Sequence, residues 1–265
     1  MLRLLREPRW LGYIALAVVF AVVCCLLGAW QWNRRADALT AIDRLESNYD
    51  REPAPVSEVL PDPAVFDPDQ QWTPVLLEGE YLPDEQLLLR GRWRSGQVGF
   101  DVIAPFRTAD GTVFIVDRGW IDQAPGAEQP MTEPETPEGP TTVVARLRPD
   151  EGSIAGRGAP EGQIASVDLD ELADALGEST YTGAYGLLVS EDGGVPDDVS
   201  VASRPVLDEG PHLSYSLQWY VFALGGFAAV AWGMRDELRS ASPQERPKRV
   251  RRTDADVEDD ILDRT

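Results

Sequence analysis

A chain of 265 residues with 24 basic and 45 acidic side chains carries a formal net charge of −21, which argues against nucleic acid as a partner because phosphate is repelled. Its only two cysteines, Cys24 and Cys25, are adjacent within an apolar run; this excludes a disulfide framework and a zinc site built from cysteine pairs. The mean hydropathy of −0.25 is that of a soluble protein, yet the apolar residues gather near the two ends.

Residues 10–30 carry no charge and are preceded by Arg3, Arg6 and Arg9. About 20 helical residues cross the ~30 Å hydrocarbon layer. The apolar core of a signal peptide is shorter, ~7–15 residues. Arg34 and Arg35 also separate the run from the cleavage-like Ala36-Asp37-Ala38, so an uncleaved anchor is expected. Ala38, Ile42, Leu45 and Tyr49 then follow at helical spacing, which predicts a polar continuation of the helix over 37–49.

Residues 53–68 are proline-rich and read as extended. Strands are predicted over 73–81, 86–93, 99–107, 112–121, 141–147 and 181–189, with Asp110-Gly111 as a hairpin turn. The segments 123–140 and 151–163 read as loops. A short helix is predicted over 167–176, capped near Asp168 and ended by Gly177. A second charge-free run covers 213–234, and Arg235, Arg239, Arg246, Lys248, Arg249, Arg251 and Arg252 follow it. The tail 242–265 has no apolar periodicity and reads as disordered.

Excess positive charge stays in the cytoplasm. Both ends carry it, so both termini are expected inside a bacterial plasma membrane, with the middle of the chain outside; the Arg34-Arg35 pair runs against this pattern. Between Ala36 and Pro211 there are 35 acidic and 11 basic residues, a balance of −24. The expected divisions are a cytoplasmic N-terminus (1–9), transmembrane helices at 10–32 and 212–234, an extracytoplasmic domain (33–211) and a cytoplasmic tail (235–265). The fold class is α+β: two transmembrane helices flanking an antiparallel β-rich domain with a minor helix, closed as a small barrel or sandwich.

No glycine-rich phosphate loop, Gly-x-Ser-x-Gly elbow or paired-histidine motif is present, and nothing signals an enzyme. The single histidine, His212, falls in the first turn of the second span, after Pro211. Tyr215, Trp219 and Phe222 share its face at helical spacing. That strip is flat and apolar enough for a porphyrin, and histidine commonly holds haem iron; an interfacial histidine in an aromatic belt is the other reading. Arg34 and Arg35 sit at the same membrane level, suited to haem propionates or to lipid phosphate.

Four patches in order resemble the surfeit locus protein family, membrane assembly factors of cytochrome c oxidase. They are Leu27-Gly28-Ala29-Trp30-Gln31-Trp32-Asn33-Arg34; Leu77-Glu78-Gly79-Glu80-Tyr81; Gly99 to Pro105 with Asp110-Gly111 and Val116-Asp117-Arg118-Gly119-Trp120-Ile121; and His212-Leu213-Ser214-Tyr215-Ser216-Leu217-Gln218-Trp219-Tyr220. Asp117 stands where the family usually has asparagine. The resemblance implies a role in supplying or stabilising haem a for the oxidase's catalytic subunit, alongside other assembly factors. It makes His212 the candidate iron ligand, with Tyr215 and Trp219 lining a haem face. Trp30, Gln31, Gly79, Arg118, Gly119 and Trp120 match as structural residues: Arg118 pairing an acidic neighbour, Trp120 filling the core. A scaffold that holds the oxidase without touching haem, and an unrelated membrane-anchored binding module, are the alternatives.

Overall fold

The computed structural model describes residues 6–241. Arg3 and the tail predicted over 242–265 lie outside the described residues. Within them the chain divides into a helical unit, 6–35 with 210–241, and a domain spanning 36–209.

Among the described residues, two helices are long and apolar enough to cross a membrane. Helix α1 (Pro8–Asn48) has no proline after its first position. It continues past the charged Arg34-Arg35 pair, as the spacing of Ala38, Ile42, Leu45 and Tyr49 predicts, and its last turns belong to the domain.

The domain opens with a two-residue strand β1 (Ala54–Pro55) and a single turn α2 (Val56–Val59), where the sequence suggests only extended chain. Strands β2 (Pro74–Tyr81), β3 (Leu87–Arg94), β4 (Gln97–Thr108), β5 (Val113–Asp122) and β6 (Thr141–Pro149) follow, all within a few residues of the predicted segments. A short β7 (Gln163–Ile164), helix α3 (Leu169–Leu176) and β8 (Ala184–Glu191) complete it. Asp168 caps α3 by accepting from Glu171 N, and Gly177 ends it in the left-handed conformation, the arrangement that satisfies a helix's orphan groups at each end.

The sheet is mixed rather than antiparallel. Strand β2 pairs antiparallel with both β6 and β4, β6 with β8, and β4 with β5, while β5 and β8 pair in parallel through Val116–Gly186 and Asp117–Leu187. These pairings close a five-stranded ring, β2–β6–β8–β5–β4, with β3 and β7 attached at the free half of β4. The parallel pair needs the long connection from β5 through β6 and α3 to β8.

Side chains alternate across a strand, so β5 feeds two cores. Phe114 and Val116 point into the ring with Val75, Leu77, Phe106 and Leu188. Val113 and Ile115 meet α3 through Leu169 and Leu172 on the other face. A strand buried on both faces reads as an unbroken apolar run, as Val113-Phe114-Ile115-Val116 does. The last turns of α1 are held by Leu45 and Tyr49 against Trp72, and by Asn48 Nδ2 donating to the carbonyls of Asp69 and Gln71 at 2.6 and 2.9 Å.

In the helical unit, helix α4 (His212–Ala241) runs antiparallel to α1. Trp10 packs on Met234, Phe20 lies over Gly226, Ala21 and Cys24 meet Ala223, and Tyr220 covers Gly28. The covered positions recur every three or four residues on both helices, as at Trp10, Ile14, Ala17, Ala21, Cys24 and Gly28 on α1 and at Ser216, Trp219, Ala223, Gly226 and Val230 on α4, the spacing of a left-handed helical seam. Trp10 Nε1 donates to Glu237 at 3.2 Å, and Arg9 pairs with the same carboxylate. Most side chains off the seam, among them Leu16, Leu26, Leu224 and Phe227, are exposed; an apolar surface this continuous marks a face that meets lipid or protein.

Candidate functional site

His212 opens α4, where Tyr215 N bonds to Pro211 O to start the first turn. The imidazole is half-buried, and its Nδ1 lies 2.8 Å from Gln31 Oε1 on α1. A carbonyl oxygen only accepts, so with Oε1 as its partner Nδ1 would be the donor and Nε2 the nitrogen left with a lone pair. Among the described residues Nε2 has no hydrogen-bond partner.

One turn deeper, Ser216 Oγ, fully buried, donates to Gly28 O at 2.9 Å. A Cβ on Gly28 would stand 2.9 Å from the Tyr220 ring, so glycine lets the two helices close here. The serine bond and this close approach fix the register that brings Gln31 to His212.

Tyr215, half-exposed, and Trp219 follow His212 at one and two turns. Trp219 meets Phe222 edge-to-face at 5.8 Å and rests on the Ala21–Cys24–Ala223 cluster. Cys24 is buried in that seam and Cys25 exposed. Arg34 and Arg35 lie one turn beyond Gln31 on α1, Arg34 exposed and Arg35 half-buried, while Trp30 is exposed on the same helix. The helical unit thus groups His212, Gln31, Tyr215, Trp219, Arg34 and Arg35 near one end of the helix pair. The donor set fits a haem: an imidazole whose second ring nitrogen has no partner among the described residues, aromatic faces beside it and guanidinium groups one turn away. Nothing local in the sequence connects Gln31, which matches the family motif as a structural residue, to a histidine 181 positions away.

The other motif residues lie in the barrel domain. Residue pairing across β4 and β5 jumps from Val102–Gly119 to Ile103–Asp117, which leaves Arg118 as the extra residue of a bulge. Bulges re-aim side chains, and here consecutive residues serve opposite faces. Arg118, fully buried, donates through Nε and Nη2 to Glu191 at 2.8 and 3.1 Å and through Nη1 to Glu135 O. Tyr81 OH donates to the same Glu191 at 2.7 Å. Gly79 lets Arg107 O approach to where a Cβ would stand. Trp120 is half-buried rather than a core filler; its Nε1 donates to Arg92 O at 3.1 Å because the ring lies over Gly99.

Asp117 faces a cavity of about 280 Å³ with Asp101, Arg92, Glu151, Tyr185 and Trp120 in its walls. Arg92 bridges Asp101 at 3.1 Å and Glu151 at 2.7 Å. Burial pushes the Asp101 carboxyl up to about 6. Burial, then the neighbouring Asp101 charge, drives Asp117 well above the usual carboxylate range. A carboxyl whose folded-state pKa is raised binds more protons folded than unfolded, so stability falls as pH climbs above ~4. For Asp101 the loss is complete by about pH 6; for Asp117 it continues higher. Asp117→Asn removes the larger part and keeps an oxygen for Gly119 N, which Asp117 now accepts from at 3.0 Å. The variant is expected to be more stable by about 1–3 kcal/mol at pH 7 and no more stable at pH 4, read from thermal melts at the two pH values.

A model of the SURF1 family matches residues 18–224. SURF1-like proteins of Mycobacterium bovis and Mycobacterium tuberculosis are each 33% identical over 96% of this chain and 97% of their own length. The cytochrome oxidase assembly protein SHY1 of Saccharomyces cerevisiae is 29% identical over 44% of this chain and 31% of its own.

Proposed function

Because the chain belongs to the SURF1 family, we propose that it is a membrane-anchored assembly factor for a haem-copper cytochrome c oxidase, and that His212 holds haem a destined for the oxidase's catalytic subunit. The assembly role is supported by the family and by the yeast relative's part in cytochrome oxidase assembly. The haem reading is carried by one observation: His212 Nδ1 is engaged by Gln31 at 2.8 Å, while Nε2 has no hydrogen-bond partner among the described residues. Nε2 would take the iron, Tyr215 and Trp219 would line the ring, and Arg34 and Arg35 would meet its carboxylates. Bound haem supplies the iron centre the oxidase needs; the chain's own residues orient it and keep it from solution.

The two apolar helices anchor the protein in the bacterial plasma membrane with both termini cytoplasmic and residues 36–209 outside. Arginines outside the apolar stretches, Arg6 and Arg9 before α1's and Arg235 and Arg239 after α4's, support this arrangement.

Full-length protein purified from cells that make haem a is expected to carry the pigment with a histidine-ligated spectrum. His212→Ala is expected to lower its affinity more than about tenfold. Wild-type protein that co-purifies with the oxidase but never with pigment would identify a scaffold and end the haem reading. Normal oxidase activity and haem a content in a deletion strain would end the assembly reading.

A further inference from the structure

We propose that Gln31 is the positioning residue of His212: its carbonyl oxygen holds the imidazole in the Nδ1–H tautomer and turns Nε2 outward as the ligating atom. The inference rests on His212 being the ligand and specifies which nitrogen acts and what selects it.

A neutral imidazole carries one proton on either of two nitrogens, and the partner of one nitrogen decides the role of the other. Here the partner is an amide oxygen 2.8 Å from Nδ1, which accepts and has no proton to give. Histidines that bind metals commonly donate their second nitrogen to a carbonyl or carboxylate, which fixes the ring's angle and raises its basicity; losing that partner costs about 10–100-fold in affinity.

Gln31 and His212 come from different helices, so the pairing survives only if the helices keep their register. Two contacts one turn away hold it. Ser216 Oγ donates to Gly28 O at 2.9 Å, and Tyr220 packs where any side chain on residue 28 would stand. Both partners of the His212 bond are half-buried, which limits the competition from water. The plain alternative is a bond that only ties the helices together, which would leave the tautomer of a solvent-reaching imidazole unselected.

The sequence contains one histidine, so ¹⁵N-histidine labelling of the full-length chain, purified with a histidine-free tag, reports His212 alone. At a pH where the ring is neutral, Nδ1 is expected to resonate as the protonated nitrogen and Nε2 as the bare one. Gln31→Leu is expected to release the ring into a mixture of tautomers and to weaken haem a uptake about 10–100-fold. Gln31→Glu, whose carboxylate also only accepts, is expected to restore both, which rules out misfolding as the cause. A proton on Nε2 in the wild-type protein overturns the proposal. So does unchanged haem affinity in Gln31→Leu once its tautomer has changed. Haem retained by His212→Ala overturns the ligand assignment itself, and the two failures are separable because the nitrogen resonances are read without haem.

Discussion

Arg118→Leu is expected to destabilise the barrel domain by about 3–5 kcal/mol, the usual loss when one partner of a buried ion pair is removed. The side chains of Arg118 and Glu191 are 2% and 8% exposed, so Glu191 would be left without its cationic partner in a site largely closed to water. Tyr81 alone would remain to satisfy it. Burial, reinforced by the Glu191 charge, holds the Tyr81 phenol above its ordinary range, so it stays a donor but contributes no charge. Leucine also abandons Glu135 O, the third acceptor of the guanidinium. Thermal and denaturant melts of the purified chain give the size of the loss. Adding Glu191→Leu should recover part of it, since an apolar pair avoids the stranded charge. Recovery of nothing would mean that the arginine matters for its shape and not for its charge.

Gly119→Ala is expected to cost about 2–4 kcal/mol. The backbone at Gly119 has φ of +133°, and an added Cβ would stand 2.6 Å from Ser200 O. Side-chain-bearing residues rarely adopt this conformation, and the neighbouring atom is backbone that cannot swing aside. Trp120 N and Ser200 N exchange hydrogen bonds with each other's carbonyls at 2.9 and 2.8 Å, so the clash also strains that bridge. A drop in melting temperature measures the loss; a melting temperature within a degree of wild type would show that the 199–201 segment yields freely.

Much of this architecture is legible from local pattern. Alternation and turn chemistry mark β2 to β6 and β8, Asp110-Gly111 marks the β4–β5 hairpin, and Asp168 with Gly177 bounds α3, because each signal lies within a dozen residues of its effect. The parallel β5–β8 pairing is not legible, since it joins residues 70 apart and no turn announces it. An antiparallel sheet was therefore the wrong expectation. Glu191 as the partner of Arg118 is hidden for another reason: among 45 acidic residues, no spacing singles it out. His212 stands out by being alone, whereas Gln31 gains its meaning only when α1 and α4 lie side by side.

The order in which the ring is completed has a consequence for biosynthesis. Strand β8 is the last of the five staves to be made, yet it fits between β5 and β6. A nascent chain extended as far as Pro149 therefore carries two bare strand edges facing a gap, with Arg118 awaiting its carboxylate. Such edges recruit foreign strands. Ribosomal pausing or truncation between Pro149 and Ala184 should thus yield aggregated product, while chains extended beyond Glu191 should close and escape it.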